Sequence, residues 1–400
     1  MIHRARWVLP IGRPPVDGGW VESSDGRITR LGTGTPPGPA EDLGDVALLP
    51  GLVNAHTHLE LSWMAGLVPP AASMSEWIKA IVRLRRAGVP GGQEAERAAA
   101  REAAATLRAT GTVLVGDITN TLITPGILRE FGLGGVVFYE LLGFNAVDPV
   151  GMVRDAWSRV NALDSNPPSE PPIQFSVVAH APYSVSPALF KAIVSRSSSA
   201  PRAIHLGESV EEIEFLRTGG GPIRTALEGL GVWSGDWSAP GVDPVRYVAD
   251  AGYLAPGTLV VHGVHLTDDG LDHLRRVGAV LVTCPRSNLW VGAGAPRLAH
   301  FYGARLNVAI GTDSLASVAS LNLFDELAEM RRLAPEITAA TLLASATRAG
   351  AAALGFARDF GTIEPGKRPG LVAVNVPAAE RDVEEYLVGG IRPDAIRRVA

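Results

Sequence analysis

The chain has 400 residues, 46% hydrophobic and 19% charged, with a net charge of −5. This predicts a globular protein with a substantial core, made of one large domain or a large domain with a small companion. The acidic balance leaves no basic stripe for nucleic acid, and the single cysteine, Cys284, excludes a disulfide framework or a Cys-rich zinc site.

No apolar run reaches the ~18 residues of a membrane helix. The start, "MIHRARWVLPIGRPP", lacks the apolar core and cleavage site of a signal peptide, so a cytoplasmic location is expected. A small-molecule substrate is the expected partner, with no nucleic acid and no membrane. Homo-oligomerisation is left open.

Residues 1–50 read as strands and turns, with "GWVESSDGRITRLG" a hairpin turning at Asp25-Gly26. Apolar, β-rich runs then recur at "ALLPGLVNAH", "TVLVGDI", "GGVVFYEL", "IQFSVVAH", "RAIHL", "LVVHGV", "AVLVTCP" and "NVAIGTD". Segments with helical spacing separate most of them, as at 92–110, 267–277 and 338–354. Linkers are expected at 164–172 and at 233–244, the latter inside a long insertion that could cover the strand ends. The tail, "GTIEPGKRPGLVAVNV", returns to strand-and-turn character. The predicted fold is α/β, a (β/α)8 TIM-type barrel over 51–360 with a small β-sandwich domain formed by both termini, 1–50 and 361–400. A doubly wound sheet is the rival.

"VNAHTHLEL" sets His56 and His58 two apart on a strand, hence on one face. Two imidazoles do not complete a zinc site, which takes at least three protein ligands. Further candidates close other strands: His180 the fourth, His205 the fifth, His262 the sixth and Asp313, in "GTDS", the eighth. A barrel gathers these C-terminal strand ends at one mouth.

This pattern, with "HLGES", "HAPYSVSP" and the "SNLWVG" of Ser287 and Asn288, resembles the amidohydrolase superfamily over essentially the whole chain. Within it, the resemblance is to the aminohydrolase branch, which deaminates or dechlorinates heteroaromatic rings. "HTHLELS", "HLGESVEEIEFLRTGGGP", "CPRSN" and "GTDSLASVASLNLFDEL" are most similar to the aminodeoxyfutalosine deaminases of menaquinone synthesis. The resemblance implies one divalent ion, zinc or iron, held by His56, His58, His205 and Asp313. It makes Glu208, His262 and Asp313 catalytic and puts His180 against the substrate. Binuclear members bridge their metals with a strand-end lysine. None of the three lysines, Lys79, Lys191 and Lys367, sits there, so one ion is expected, with Glu140 as a substitute bridge or simply a buried polar residue.

Thioether-nucleoside deaminases carry a ribose-gripping Glu after the Trp that opens a helix. Here "SEWIKAIVRLRRAG" keeps Trp77 but offers Arg83, Arg85 and Arg86. Futalosine-type substrates carry a benzoate, and arginine suits bidentate carboxylate recognition. One of these arginines, or Arg286, is therefore a candidate anchor, against the alternative of a solvated helix face. Trp63 and Trp77 are pocket wall or core. Cys284 is expected to be a packing residue, His265 to point away, and His3, His273 and His300 to be structural or surface. The rival functions are an S-adenosylhomocysteine, adenosine, guanine or triazine hydrolase on the same site, and a non-catalytic metal-dependent binding protein.

Overall fold

The N-terminal segment folds into β1 (Ile2–Val8), β2 (Val16–Ser24), β3 (Arg27–Thr33), β4 (Glu41–Asp42) and β5 (Val46–Pro50). Asp25 and Gly26 both take positive φ, 52° and 70°, as a two-residue hairpin turn demands. The expected hairpin thus forms, with Ser24 opposite Arg27. The computed structural model describes residues 1–164, 170–196 and 200–399. Residues 165–169 of the expected linker lie outside them.

Eight strands follow: β6 (Leu52–Thr57), β7 (Thr112–Thr119), β8 (Gly134–Leu141), β9 (Ile173–Ala179), β10 (Ala203–Leu206), β11 (Leu259–His262), β12 (Val280–Thr283) and β13 (Asn307–Ile310). They pair in parallel, in chain order, as two sheets, β6–β9 and β10–β13. Most of these strands are buried along their whole length, the environment that near-continuous apolar runs require. The two sheets also meet edge to edge twice. The His205 amide donates to the His180 carbonyl at 2.9 Å, and the Thr312 and Asp313 amides both donate to the His56 carbonyl at 3.0 Å. Each seam therefore draws two histidine- or aspartate-bearing strand ends together.

The C-terminal strands β14 (Leu371–Asn375) and β15 (Ile396–Arg398) complete the terminal sheet. Its order is β15-β14-β5-β1-β2-β3, with β4 beside β1. Both termini thus build one hydrogen-bonded sheet, and no second sheet forms there among the described residues. The two regions share one extended run, since β5 passes into β6 through Gly51. A Cβ there would lie 2.3 Å from Val113 and 2.8 Å from the Gly370 carbonyl oxygen, so only glycine allows this approach.

Helices Gly92–Ala109 and Asp268–Val277 match their expected spans, the second capped by Thr267. The 338–354 segment is interrupted by a π-helical turn at Ser345–Ala349. The tail is less purely β than expected. Between β14 and β15, Asp382 caps a helix, Val383–Val388, that buries Val383, Leu387 and Val388 in the main core with Leu323 and Leu327. Arg331 pairs with Glu385 at 2.7 Å to hold it there. Among the described residues no helix is long and apolar enough to cross a membrane.

Candidate active site

His56 and His58 leave β6 with their Nε2 atoms 3.2 Å apart. Two imidazole nitrogens on one tetrahedral zinc ion lie about 3.4 Å apart, given bonds of about 2.0–2.1 Å, so the pair has the bite of a metal site. His205 joins them, with ligand atoms of all three within 4.8 Å of one another. Its Nδ1 lies 3.1 Å from the His180 carbonyl. A carbonyl only accepts, so Nδ1 carries the proton and Nε2 keeps a free lone pair. Asp313 Oδ1 lies 3.7 Å from His56 Nε2 and 3.4 Å from His58 Nε2. Burial drives the pKa values of His56 and His58 well below the ordinary histidine value and that of His205 to about 4. Three neutral imidazoles and a carboxylate oxygen converging on one point form a donor set that fits a divalent cation.

Asp313 divides its oxygens. Oδ2 accepts from Ser287 Oγ at 2.6 Å and Ser317 Oγ at 2.9 Å, leaving Oδ1 toward the histidines. Burial nonetheless raises its pKa to about 6. His262 Nε2 lies 3.5 Å from Glu208 Oε1, and the Asn288 side-chain amide holds its Nδ1 at 2.9 Å. Burial lowers the His262 pKa, while burial and then Asp313 push that of Glu208 well up. His262 and Asp313 both sit at positive φ, 72° and 61°. Non-glycine residues rarely adopt that conformation, and such strain collects at functional sites.

Of these groups, His58, His205, Glu208, His262 and Asp313 line a cavity of about 430 Å³. His180 lines it, with Nδ1 2.6 Å from Ser184 Oγ. One wall is the helix Met74–Ala87, which presents Trp77, Ile78, Ile81, Val82 and Arg85; the Trp77 indole donates to the Ala316 carbonyl at 3.1 Å. Facing it, the insertion between β10 and β11 supplies Ile223, Leu227, Leu230 and Val232. Farther along the insertion, Trp237 stacks on Phe215, centroids 4.6 Å apart, and Trp233 on Phe144 at 5.5 Å. The expected covering segment is therefore packed behind Phe144, which lines the cavity, and Trp233 and Trp237 are not themselves part of the lining.

Of the four candidate arginines, only Arg85 lines the cavity. It donates to Asn120 Oδ1 at 3.3 Å and lies 3.7 Å from Glu60 Oε1. Arg83 and Arg86 are exposed on the same helix. Arg286 is turned away: it donates to the Ser320 carbonyl and lies 3.6 Å from both Asp325 and Glu326. The sequence could not show this, because those partners belong to a helix start some 40 residues later. Trp63 packs beside Leu61 and Met64 and does not line the cavity.

His265 contacts the Ala293 carbonyl and His3 pairs with Glu41. Neither they, His273 nor His300 lines the cavity. Cys284 is fully buried, its thiol pKa raised by burial. Lys79 reaches the cavity rim from its helix, not from a strand end, and Lys191 and Lys367 lie elsewhere.

Sequence reasoning missed Glu60, Asp117 and Asn120. Buried Glu60 Oε2 accepts from Thr119 Oγ1, Thr121 Oγ1 and the Asn120 and Thr121 amides. Asp117 Oδ1 takes the Leu59 amide at 3.0 Å, one residue past His58. The only available signal was an acid inside an apolar run, in "HLELSWM" and "VLVGDIT".

The model of the amidohydrolase family matches residues 47–394, and the chain belongs to that family. It is a hydrolase acting on carbon–nitrogen bonds. The aminodeoxyfutalosine deaminase of Deinococcus radiodurans is 30% identical over 81% of this chain and 77% of its own. A 5-methylthioadenosine/S-adenosylhomocysteine deaminase of Nitratidesulfovibrio vulgaris is 27% identical over 92% of this chain and 81% of its own. Among solved structures, Helicobacter pylori aminofutalosine deaminase in complex with methylthio-coformycin superposes with a TM-score of 0.84. It is 25% identical, over 97% of this chain and 94% of that one.

Proposed function

We propose that this chain is a metal-dependent hydrolytic deaminase of an adenine-containing nucleoside, converting 6-amino-6-deoxyfutalosine to futalosine and ammonia in menaquinone biosynthesis. The reading takes the eight parallel strands as a closed (β/α)8 barrel over 51–360, with the terminal segments 1–50 and 361–400 as its small β domain. Zinc is the proposed ion, at a single site of His56, His58, His205 and Asp313. The reading is carried by one juxtaposition: Glu208 and His262, 3.5 Å apart, stand beside that donor set on the floor of the cavity.

Deamination forms one C–O bond at the amidine carbon and breaks its exocyclic C–N bond. Zinc supplies an acidified water, with a pKa of about 7 in place of 15.7. Glu208 takes one proton from the attacking water and delivers it to the adjacent ring nitrogen. Its pKa, raised first by burial, favours the protonated form that makes this delivery. His262, its Nδ1 held by Asn288, orients the nucleophile and stabilises charge on the adduct. Asp313 takes the second proton and passes it to the departing amine. His180 and Trp77 contact the substrate, and Arg85 takes the carboxylate of the benzoate arm between the apolar walls.

The test is ammonia release by the zinc-loaded protein from 6-amino-6-deoxyfutalosine, adenosine, S-adenosylhomocysteine and guanine, with Glu208→Ala as control. Preference for the first, lost in the variant, is the expected result. Preference for S-adenosylhomocysteine, the reading favoured by the thioether-nucleoside relative, would keep the chemistry and replace the substrate.

A further inference from the structure

Glu140 closes β8 and is 5% exposed, yet its two oxygens have different fates. Oε2 accepts from Asn120 Nδ2 at 3.2 Å. Among the described residues Oε1 has no hydrogen-bond partner, although Glu140 lines the cavity. A buried acceptor left unmade is costly, by about 1–3 kcal/mol and more when charged, so its persistence needs a reason.

Three of the nearby donors are already committed. His205 Nδ1, 3.5 Å from Oε1, gives its proton to the His180 carbonyl. His180 Nδ1 is engaged with Ser184. Asn120 is fixed on its other side by the Arg85 guanidinium, which in turn faces Glu60. The surroundings thus hold Oε2 in place and make no hydrogen bond to Oε1 among the described residues. A bound ligand can bring the donor.

We propose that Glu140 is the acceptor for the sugar hydroxyls of the substrate, a specificity-determining residue whose free Oε1 is filled only when a ribonucleoside binds. The inference rests on the nucleoside reading above. Neighbouring hydroxyls are donors of the kind that a lone-pair-only carboxylate recognises. Glu140 lies beside His205 Nδ1 and lines the same cavity, where the part of a nucleoside beyond its reacting ring can lie. Glu140, His180 and His205 are close enough to hold a second cation. A cation there would need His205 Nδ1 stripped of the proton it donates to the His180 carbonyl, so a hydroxyl donor fits the hydrogen bonding better.

The experiment is a cycle crossing Glu140→Gln and Glu140→Ala with adenosine and 2′,3′-dideoxyadenosine, together with the zinc content of each protein. In the wild type, removing the hydroxyls is expected to lower kcat/KM roughly 10- to 100-fold, as for a hydrogen bond to a charged group. In the variants the same removal is expected to cost less than about threefold. Equal costs in wild type and variants would overturn the proposal, as would variants that lose zinc in proportion to activity. If the wild type deaminates no nucleoside, the nucleoside reading fails by itself. The cycle is then read calorimetrically with inosine and 2′,3′-dideoxyinosine: hydroxyl-dependent binding lost in the variants supports Glu140 as the acceptor, and its absence or persistence overturns it.

Discussion

Replacing Arg85 by alanine removes the one candidate arginine that reaches the cavity. Its guanidinium is preorganised by Asn120 at 3.3 Å and Glu60 at 3.7 Å, so little of its rotamer freedom remains to be lost on binding. A charge-assisted hydrogen bond contributes about 1.5–3 kcal/mol. The side chain is 42% exposed, and solvent screening takes the expectation toward the lower end. A loss of about 1–2 kcal/mol corresponds to roughly a 5- to 30-fold fall in kcat/KM. It should be expressed chiefly in KM, because the carboxylate lies away from the reacting carbon and is bound alike in ground and transition states. The assay compares wild type and Arg85→Ala on 6-amino-6-deoxyfutalosine and on adenosine, which has no carboxylate. A fall confined to the first substrate is expected. An equal fall on both would refute the anchor role and leave Arg85 as a brace for Asn120.

Glu208→Gln is expected to retain zinc by elemental analysis while losing ~10²–10⁴-fold in kcat; a loss within threefold would remove Glu208 from the proton path. Chelation should abolish turnover and lower the unfolding temperature, with both restored by zinc. Unchanged activity after verified metal removal would discard the metal-dependent reading. Glu326 gives a pH prediction, since burial raises its carboxyl pKa from 4.5 to about 8, partly offset by Arg286. A folded pKa above the unfolded one gives stability that is complete below about pH 4.5 and is lost as pH rises through about 8. Glu326→Gln should therefore flatten thermal stability across that window by a few kcal/mol relative to wild type. Parallel pH–stability curves for the two proteins would contradict it.

The histidine pattern was legible because strand alternation and strand-end position are local properties. His56 and His58 share a face by spacing alone, and His205 and His262 each sit within a short apolar run. The turn at Asp25-Gly26 could be read for the same reason. What stayed hidden depends on distant partners. Glu60 acquires its role only when the 119–121 segment wraps its carboxylate. Three arginines within four positions look alike until the helix is set against the insertion, which leaves Arg85 inward and Arg83 and Arg86 outside. Arg286, the other candidate for the substrate carboxylate, takes its true direction from Glu326, 3.6 Å away. The helix Val383–Val388 escaped notice because so short a segment is stabilised mainly by the core it joins.

The passage through Gly51 ties two parts of the molecule that composition alone would treat as separable. The Gly51 amide donates to the Gly370 carbonyl at 2.7 Å, and the strand that begins one residue later carries His56 and runs into His58, the proposed metal ligands. The terminal sheet therefore works as a splint on the strand that carries them. Trimming it, exchanging it with a homologue, or enlarging residue 51 should announce itself first as loosened metal binding, before the sheet or the parallel strands lose their own fold.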